Sequence, residues 1–345
     1  VRTGRECFRA LSMPEAVTLA SGVYRVRASV PSRSKATADM VQTDEAFWTI
    51  FSFHFLSGEA FTKADCDAGL TRAVLDATTA RRLFGTTDAV GHTVQLDYVD
   101  YTVAGVVADV SMLATAAYAQ IWVPYTAAGA EAMSWQNDTM GPMHAIILAR
   151  SSADFDAIRE ETELLRKKYN DGLQDVEVFY RGQPDTQLAY LYRRWYAEPD
   201  VPGVMLRYAI VVIILLLVPA VNLSGMTLSR MRRRMAEIGV RKAFGATGGE
   251  LMRQVFFENL VLTLLAGIVG LALSYVATFA LNGFLFSNSM NASLSGETAL
   301  TPGMLLSPWA FIAAFAFCLL MNILSAGIPA WRASRMNITD AINQR

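Results

Sequence analysis

The chain has 345 residues, of which 53% are hydrophobic and 18% are charged, against roughly 25% charged residues in an average soluble protein. Residues 1–200 carry 19 basic and 26 acidic side chains, whereas residues 201–345 carry 11 and 5. This composition argues against a disordered chain, and it gives no support to nucleic-acid binding, which requires a basic face. The split predicts an acidic soluble part joined to an apolar membrane part.

The first 205 residues predict an α+β domain, because short alternating apolar segments are interspersed with amphipathic ones. Strands are predicted over 22–29, 71–75, 93–96, 101–110, 120–124, 144–149 and 176–180, and helices over 76–84 and 153–169.

Recognisable catalytic and cofactor motifs are missing from the sequence. His54, His92 and His144 are far apart and lack ligand-type spacing, and neither a G-x-S-x-G nor a G-x-x-x-x-G-K-[ST] motif occurs. We therefore expect a non-catalytic chain without a cofactor or a bound metal. The spacing leaves open a disulfide between Cys7 and Cys66, if both lie outside the cytoplasm.

Three apolar runs in the second half are predicted to span a membrane, over 208–228, 259–286 and 309–331. The first is charge-free, and at about 1.5 Å per residue it is long enough to cross a hydrocarbon core of roughly 30 Å. The second lies in a stretch without charge between Glu258 and Glu297, and Trp309 and Trp331 flank the third as an aromatic belt does. Buried core helices of a soluble protein are the alternative, which three such runs disfavour.

The distribution of cations predicts the orientation of these spans. Residues 229–257 contain seven Lys and Arg side chains and the tail after Trp331 contains three, whereas the connection 287–308 contains none. The positive-inside rule therefore places 229–257 and the tail in the cytoplasm, and residues 1–205 on the outer side. Because a domain outside needs a translocation signal, we expect a further membrane helix upstream, which makes four spans in the intact protein.

The cationic loop 229–257 predicts two helices separated by residues 245–249, GATGG. The glycines allow a tight reversal, and Thr247 is suited to cap the second helix. Two interpretations remain open from this pattern. The loop is either an anchor on anionic lipid or a coupling helix that docks on a cytoplasmic ATPase.

Four segments together resemble the MacB/FtsX family of ABC-transporter permeases, which includes the lipoprotein-releasing Lol permeases. The loop reads MAEIGVRKAFGATGGELMRQVFFEN (235–259), and the tail reads PAWRASRMNITDAIN (329–343), with Ile338 where the family commonly has proline. In the outer domain, residues 38–61 and 80–110 resemble the family's segments in the same order.

The resemblance implies a MacB-like periplasmic core domain over 1–205 and an FtsX-like permease domain over 206–345, located in the inner membrane with several spans. It also implies that the loop contacts the ATPase and that ATP-driven movement passes to the outer domain without a substrate crossing the membrane. The implied contact residues are Glu237, Gly239, Arg241, Lys242, Gly245 and Ala246. An intrahelical pair between Glu237 and Arg241 is the structural alternative.

The partners implied by the resemblance are a cytoplasmic ABC ATPase, a second permease copy or paralogue, membrane lipid, and a periplasmic adaptor or hydrolase. The leading functional hypothesis is export or extraction of a peptide, a drug or a lipoprotein. An FtsX-like regulator of an extracytoplasmic cell-wall hydrolase is the alternative. A membrane-bound sensor is less favoured, since it needs a cytoplasmic signalling domain, and a membrane enzyme is disfavoured by the missing acid–base or metal cluster.

Overall fold

A computed structural model of the chain describes residues 1–31, 34–112, 114–129, 139–193, 197–218, 240–241, 244–286, 309 and 311–321. Within it, Val1–Pro199 lie in one compact unit, and Asp200–Asn282 belong to a second.

The first unit is mixed α and β, as the sequence predicts. A helical turn at Gly4–Phe8 comes first. The strands are β1 (Ala16–Ser21), β2 (Tyr24–Val30), β3 (Ser34–Thr43), β4 (Phe55–Gly58), β5 (Arg72–Asp76), β6 (Thr93–Leu96), β7 (Val99–Val107), β8 (Ile121–Pro124) and β9 (Met143–Leu148). The helices are α1 (Phe47–Ile50), α2 (Lys63–Asp67), α3 (Ala77–Phe84), α4 (Phe155–Asn170) and α5 (Gln187–Tyr192).

Seven strands form one sheet in the order β4-β7-β5-β8-β3-β2-β6, and β6 also pairs with β7. The pairings β7–β5, β5–β8, β8–β3, β3–β2, β2–β6 and β6–β7 therefore close a ring of six strands, with β4 added beside the second half of β7. Strands β1 and β9 pair separately in an antiparallel sheet of two. Closure leaves few free edges on which another chain could pair.

Both faces of the main sheet are buried, because side chains alternate between two apolar clusters along each central strand. Leu75 and Ile121 belong to one cluster, together with Leu83 from α3. Their neighbours Val74 and Trp122 belong to the second cluster, which also contains Phe47 and Phe61. The rings of Phe47 and Phe61 both make edge contacts with the ring of Trp48. The first unit therefore has its own hydrophobic core, with one apolar cluster on each face of the main sheet.

Most predicted elements of the first unit are confirmed. The strand predicted over 93–96 coincides with β6, and those over 22–29, 71–75, 101–110, 120–124 and 144–149 match β2, β5, β7, β8 and β9 within a few residues. The helices predicted over 76–84 and 153–169 match α3 and α4.

The strand predicted over 176–180 is wrong, because this segment has no strand partner in the structure. Its backbone is instead bound by the side chain of Asn170, which receives a hydrogen bond from the Val178 N–H and donates one to the Val178 carbonyl, both at 3.0 Å. An amide side chain here satisfies the groups that a neighbouring strand would otherwise satisfy.

Cys7 and Cys66, whose pairing the sequence leaves open, form no disulfide in the structure. Both residues are free thiols, and they are buried in different apolar clusters. Burial raises the pKa of the Cys66 thiol to about 12, so this group stays protonated and unreactive in the folded domain.

The apolar helices that the structure describes in the second half of the chain are α6 (Val201–Val218), α7 (Gly248–Phe286) and α8 (Phe311–Met321). Helix α6 and the Phe256–Ala277 part of α7 are long and apolar enough to cross a membrane by length and composition. Large apolar side chains on both helices are exposed, among them Leu215 and Leu273. Such surfaces are unfavourable in water and suit a hydrocarbon environment.

The predicted spans correspond to these helices only in part. Helix α6 begins at Val201, before residue 208, where the first span was predicted to begin. Residues 219–228 of that predicted span lie outside the described residues. Helix α8 falls within the span predicted over 309–331, of which residues 322–331 lie outside the described part of the chain, so a third span stays a prediction.

Asp76 provides a test of the outer fold through its titration. Its Oδ1 caps α3 by accepting a hydrogen bond of 2.8 Å from the Thr79 N–H. Burial raises the pKa of Asp76 to about 6, although the bonds from Thr79 oppose the shift. Because the folded state binds this proton more tightly than the unfolded chain, stability falls as pH rises from about 4 to about 6.

We predict that Asp76→Asn, which keeps a capping oxygen but cannot ionise, raises the free energy of unfolding at pH 7 by roughly 1–3 kcal/mol and flattens its dependence between pH 4 and pH 6. Urea unfolding of the chain in detergent, followed by tryptophan fluorescence at several pH values, measures both quantities. Asp65→Asn is the control of opposite sign, because the hydrogen bonds from Thr62 lower the pKa of Asp65. An unchanged slope in Asp76→Asn would contradict the assignment.

Candidate coupling site

The candidate coupling site is the turn between the two helices of the cationic loop, and the structure describes part of it. Arg241, Gly245 and Ala246 are placed, whereas Glu237, Gly239 and Lys242 lie outside the described residues. The predicted pair between Glu237 and Arg241 therefore stays a prediction.

Gly245 ends the first helix in a left-handed conformation, with φ at +94°. The Ala246 N–H donates to the Arg241 carbonyl at 3.1 Å, and the Phe244 N–H donates to the Val240 carbonyl at 3.1 Å. This pattern is that of a helix C-terminus closed by glycine. Within the described part of the chain, no atom lies within 4 Å of a β-carbon built on Gly245. Glycine is therefore needed here for its backbone conformation.

Thr247 and Glu250 form a reciprocal cap at the start of α7. The Thr247 N–H donates to Glu250 Oε2 at 3.0 Å, and the Glu250 N–H donates to Thr247 Oγ1 at 3.4 Å. Hydrogen bonds from the Thr247 backbone N–H and the Thr247 side chain to the carboxylate lower the pKa of Glu250. The predicted cap at Thr247 is confirmed. Glu250 was missed, although threonine followed three residues later by glutamate is the sequence signal of this arrangement.

A side-chain hydrogen bond joins the two helices across the turn. Arg241 Nη1 donates to Gln254 Oε1 at 2.8 Å, and Gln254 lies in the second turn of α7. The sequence does not indicate Gln254 as a partner of Arg241, because local helical spacing does not connect residues 13 positions apart. The described part of the site thus brings Arg241, Gly245 and Ala246 together with three residues that were not predicted as site residues, Thr247, Glu250 and Gln254.

Phe244 is the most exposed large apolar side chain at this turn, with 89% of its surface accessible, and the nearby Val240 is also exposed. An aromatic side chain in this state leaves a large apolar area in water, which its burial against a partner would remove. Arg241 is exposed beside it. An apolar side chain next to a cation is chemically suited to bind an apolar pocket with an acidic rim.

Helix α7 connects this turn directly to the predicted second span. It runs without interruption over 39 residues, from Gly248 to Phe286. At about 1.5 Å per residue its length is roughly 58 Å, nearly twice the thickness of the hydrocarbon core. The end of the predicted loop 229–257 and the span predicted over 259–286 are therefore parts of one rigid element.

Helices α7 and α8 approach each other at Gly267. A β-carbon at this position would lie 3.4 Å from the ring of Phe315, which is tighter than an ordinary van der Waals contact. Gly270 has no atom within 4 Å of such a β-carbon in the described part of the chain. Gly267 of α7 thus packs against a helix of the same chain.

Among the described residues, no group of three or more His, Cys, Asp or Glu side chains is arranged to hold a metal ion. In the described turn, Arg241 and Thr247 bond to side chains of α7, and the apolar side chain of Phe244 is exposed.

Comparison with known families identifies two consecutive domains. A family described as MacB-like periplasmic core domain matches residues 2–165, and a family described as FtsX-like permease C-terminal matches residues 209–338.

Curated relatives align with most of this chain. The macrolide export ATP-binding/permease protein MacB of Escherichia coli (strain K12) is 26% identical over 89% of this chain, and that of Chromobacterium violaceum is 25% identical over 88%. In both cases the alignment covers 43% of the relative, so the chain spans less than half the length of these proteins.

Solved structures of outer domains also show similarity to part of the chain. The extracellular domain of the noncanonic ABC-type transporter YknZ from Gram-positive bacteria has 18% identity and a TM-score of 0.37, covering 47% of this chain and 79% of that structure. The periplasmic region of MacB from Actinobacillus actinomycetemcomitans has 19% identity and a TM-score of 0.37, covering 46% and 70%. With the two domain families matched in order along the sequence, the chain belongs to the MacB/FtsX family of membrane ABC-transporter permeases.

Proposed function

We propose that this chain is a permease subunit that converts ATP hydrolysis by a separate ABC ATPase into movement of its outer domain, for the export or extraction of a peptide, a drug or a lipoprotein. Residues 1–205 form the extracytoplasmic domain, and residues 206–345 form the membrane domain with spans near 208–228, 259–286 and 309–331. The relatives' names combine ATP binding with permease activity. We assign ATP hydrolysis to a partner chain, since these 345 residues contain no phosphate-loop motif.

The continuity between the turn and α7 is the observation that carries this proposal. Glycine closes the first helix, a reciprocal cap starts the second, and the Arg241–Gln254 hydrogen bond braces the pair. A displacement of the turn is therefore passed to a helix of roughly 58 Å rather than absorbed by a loose loop. This stiffness is what a coupling element requires, and a simple lipid anchor has no need of it.

The ATPase-facing surface in this proposal is formed by Phe244 with the cations around it. The exposed ring enters an apolar pocket of the ATPase, and Arg241 and Lys242 lie opposite its carboxylates. Glu237, Gly239, Gly245 and Ala246 shape the helix end that presents them. A second copy of the chain or a paralogue completes the transporter, and the outer domain receives a periplasmic partner.

We predict that Phe244→Asp lowers the amount of ABC ATPase that co-purifies with the detergent-solubilised chain by about tenfold or more, because a charged side chain cannot occupy an apolar pocket. Pull-down and binding titration with that ATPase measure the effect. Tyr98→Asp is the matched control, because Tyr98 is an exposed aromatic residue of the outer domain. Equal retention of the ATPase by both variants would contradict the docking surface.

A second pair of variants separates docking from bracing at Arg241. Gln254→Ala removes the acceptor of the brace and leaves the guanidinium charge in place, whereas Arg241→Glu reverses the charge. If Arg241 contacts the ATPase, Arg241→Glu weakens the complex far more than Gln254→Ala does. Equal losses in both variants would instead assign Arg241 to the shape of the turn.

We predict a topology in which Tyr98 lies outside the inner membrane and Phe244 lies in the cytoplasm. In a Cys318→Ser background, Tyr98→Cys should react with a membrane-impermeant maleimide in spheroplasts, whereas Phe244→Cys should react only after the membrane is disrupted. Cys7 and Cys66 contribute little background, because both are buried. Labelling of Phe244→Cys in unbroken spheroplasts would overturn the topology and the coupling site with it.

A further inference from the structure

Helix α5 (Gln187–Tyr192) presents large apolar side chains to solvent. Leu188, Tyr190 and Leu191 are 45%, 55% and 60% exposed, and these three residues are called the α5 surface below. We propose that the α5 surface inserts into the interfacial layer of the membrane, where lipid headgroups meet acyl chains. This inference goes beyond the proposed function and rests on it only for the side of the membrane, since the proposed topology places residues 1–205 outside.

Polar contacts hold this short helix at both ends. A helix of six residues is too short to be stable by itself in water. At its start, Thr186 Oγ1 accepts a hydrogen bond of 3.2 Å from the Ala189 N–H. Asp185 precedes the helix and Arg193 follows it, and the two form a bidentate ion pair, in which Arg193 Nη2 lies 2.8 Å from Asp185 Oδ1. These contacts keep the backbone helical, so the α5 surface keeps its shape although it is exposed.

The chemistry of the α5 surface suits an interface between water and hydrocarbon. Leucine side chains gain free energy on leaving water, and tyrosine is enriched at membrane interfaces because its ring is apolar and its hydroxyl is polar. Helix α5 reads QLAYLY and carries no charge. The charged residues on either side of it, Asp185 and Arg193, are only 7% and 8% exposed because they bind each other. Insertion of the α5 surface therefore desolvates no unpaired charge.

The position of α5 in the sequence favours a lipid surface over a protein partner. Among the described helices, α5 is the last one before α6, which is long and apolar enough to cross a membrane. Residues 193–200 separate the two helices in the sequence, and even a fully extended chain of this length spans only about 30 Å. In a chain that crosses the membrane at α6, the covalent connection therefore keeps α5 close to a bilayer.

Contacts within the outer domain attach α5 to two of its elements. The ring centroids of Tyr190 and His144 lie 6.4 Å apart, and His144 belongs to β9 of the two-stranded sheet. Just before the helix, Arg159 of α4 donates a hydrogen bond of 3.3 Å to the Pro184 carbonyl. The α5 surface is thus part of the folded domain, and its insertion would hold the outer domain at the membrane through β9 and α4.

The decisive measurement is the quenching of a bimane fluorophore on Leu191→Cys, in the full chain with Cys318→Ser, reconstituted in nanodiscs. Phospholipids brominated near the glycerol end of their acyl chains quench only a fluorophore that touches them at the interface. We expect bimane on Leu191→Cys to lose about half of its fluorescence or more relative to unbrominated lipid. Tyr98→Cys, at an exposed aromatic residue, is the control and should keep its fluorescence. Equal fluorescence of Leu191→Cys in both lipids would overturn the proposal.

A charge placed on the α5 surface should release it from the lipid. With the fluorophore still on Leu191→Cys, Leu188→Asp should reduce the quenching about twofold or more, because a carboxylate is costly below the headgroups. Leu70→Asp is the matched control, since Leu70 is also an exposed leucine of the outer domain, at 43%, and it should leave the quenching unchanged. Full quenching in Leu188→Asp would contradict the proposal.

The thiols of Cys7 and Cys66 report whether these variants are folded. Both are buried, so they stay unreactive towards maleimide as long as the outer domain keeps its fold. If Leu188→Asp exposes them, the quenching of Leu191→Cys without a second substitution still decides the proposal.

A protein partner on the α5 surface gives a different result with the same fluorophore. If a second copy of the chain covers this surface, bimane on Leu191→Cys is shielded from aqueous iodide, but brominated lipid does not quench it. That combination would overturn the assignment of a lipid surface.

Failure of this inference is distinguishable from failure of the proposed topology, because brominated lipid quenches from either side of the bilayer. Bimane on Leu215→Cys, an exposed position of α6, reports whether this helix lies in lipid. Maleimide labelling of Tyr98→Cys in spheroplasts reports the side of the outer domain. Labelling at Tyr98 without quenching at Leu191 would refute the inference alone, whereas quenching at Leu191 without labelling at Tyr98 would refute the topology alone.

Discussion

The exclusion of ionised side chains from a hydrocarbon environment is the constraint on which the second half of this molecule depends. Between Glu258 and Glu297 the sequence contains no charge, and α6 and α7 expose large apolar side chains along their lengths. Such segments have to be helical, because only a helix satisfies all of its backbone groups within the segment. The Lys and Arg side chains of this half consequently lie outside the apolar runs 208–228, 259–286 and 309–331. The turn at Gly245 is the polar end of an otherwise apolar element.

The outer domain is organised by a different constraint, the burial of both faces of a closed sheet. Alternation along β5 and β8 directs Leu75 and Ile121 to one apolar cluster, and Val74 and Trp122 to the other. The ring of six strands provides the rigid body, whereas α4 and the segments at both ends of the domain form a smaller cluster around Tyr180. The two ends of the domain are therefore packed on a cluster that is separate from the two clusters of the main sheet.

The sequence predicted those elements whose signals are local. The alternation in 93–96 predicted β6 with its observed bounds, and the amphipathic pattern over 76–84 predicted α3. Strand β3 was not predicted from its own pattern, because its end buries Gln42 and Thr43 rather than apolar residues. Next to it, Asp44 is buried and accepts hydrogen bonds from Thr18 Oγ1 and the Leu19 N–H. Long-range partners of this kind make a polar segment part of the core.

The candidate site shows the same division between local and distant signals. The cap at Thr247 was predictable because it depends on neighbours within four residues. The brace between Arg241 and Gln254 was not, because it crosses a turn whose geometry depends on the left-handed conformation of Gly245. The hydrogen bonds of Arg193 were not predictable either. Its partners Arg181, Asp185 and Ala197 become neighbours only after α5 has formed.

Transmission of movement along a protein chain requires stiff elements joined at few flexible points, because every loose joint absorbs part of a displacement. Helix α7 extends over roughly 58 Å, and its N-terminal end is held by a cap and a brace. The segment before α6 contains a buried bidentate ion pair, and its Arg193 lies seven residues before Asp200, the cap of that helix. Polar contacts are thus concentrated where a helix begins, while the apolar lengths between them need none. A capped and braced helix start fits the coupling role proposed above, because a plain lipid anchor has no need of a stiff turn.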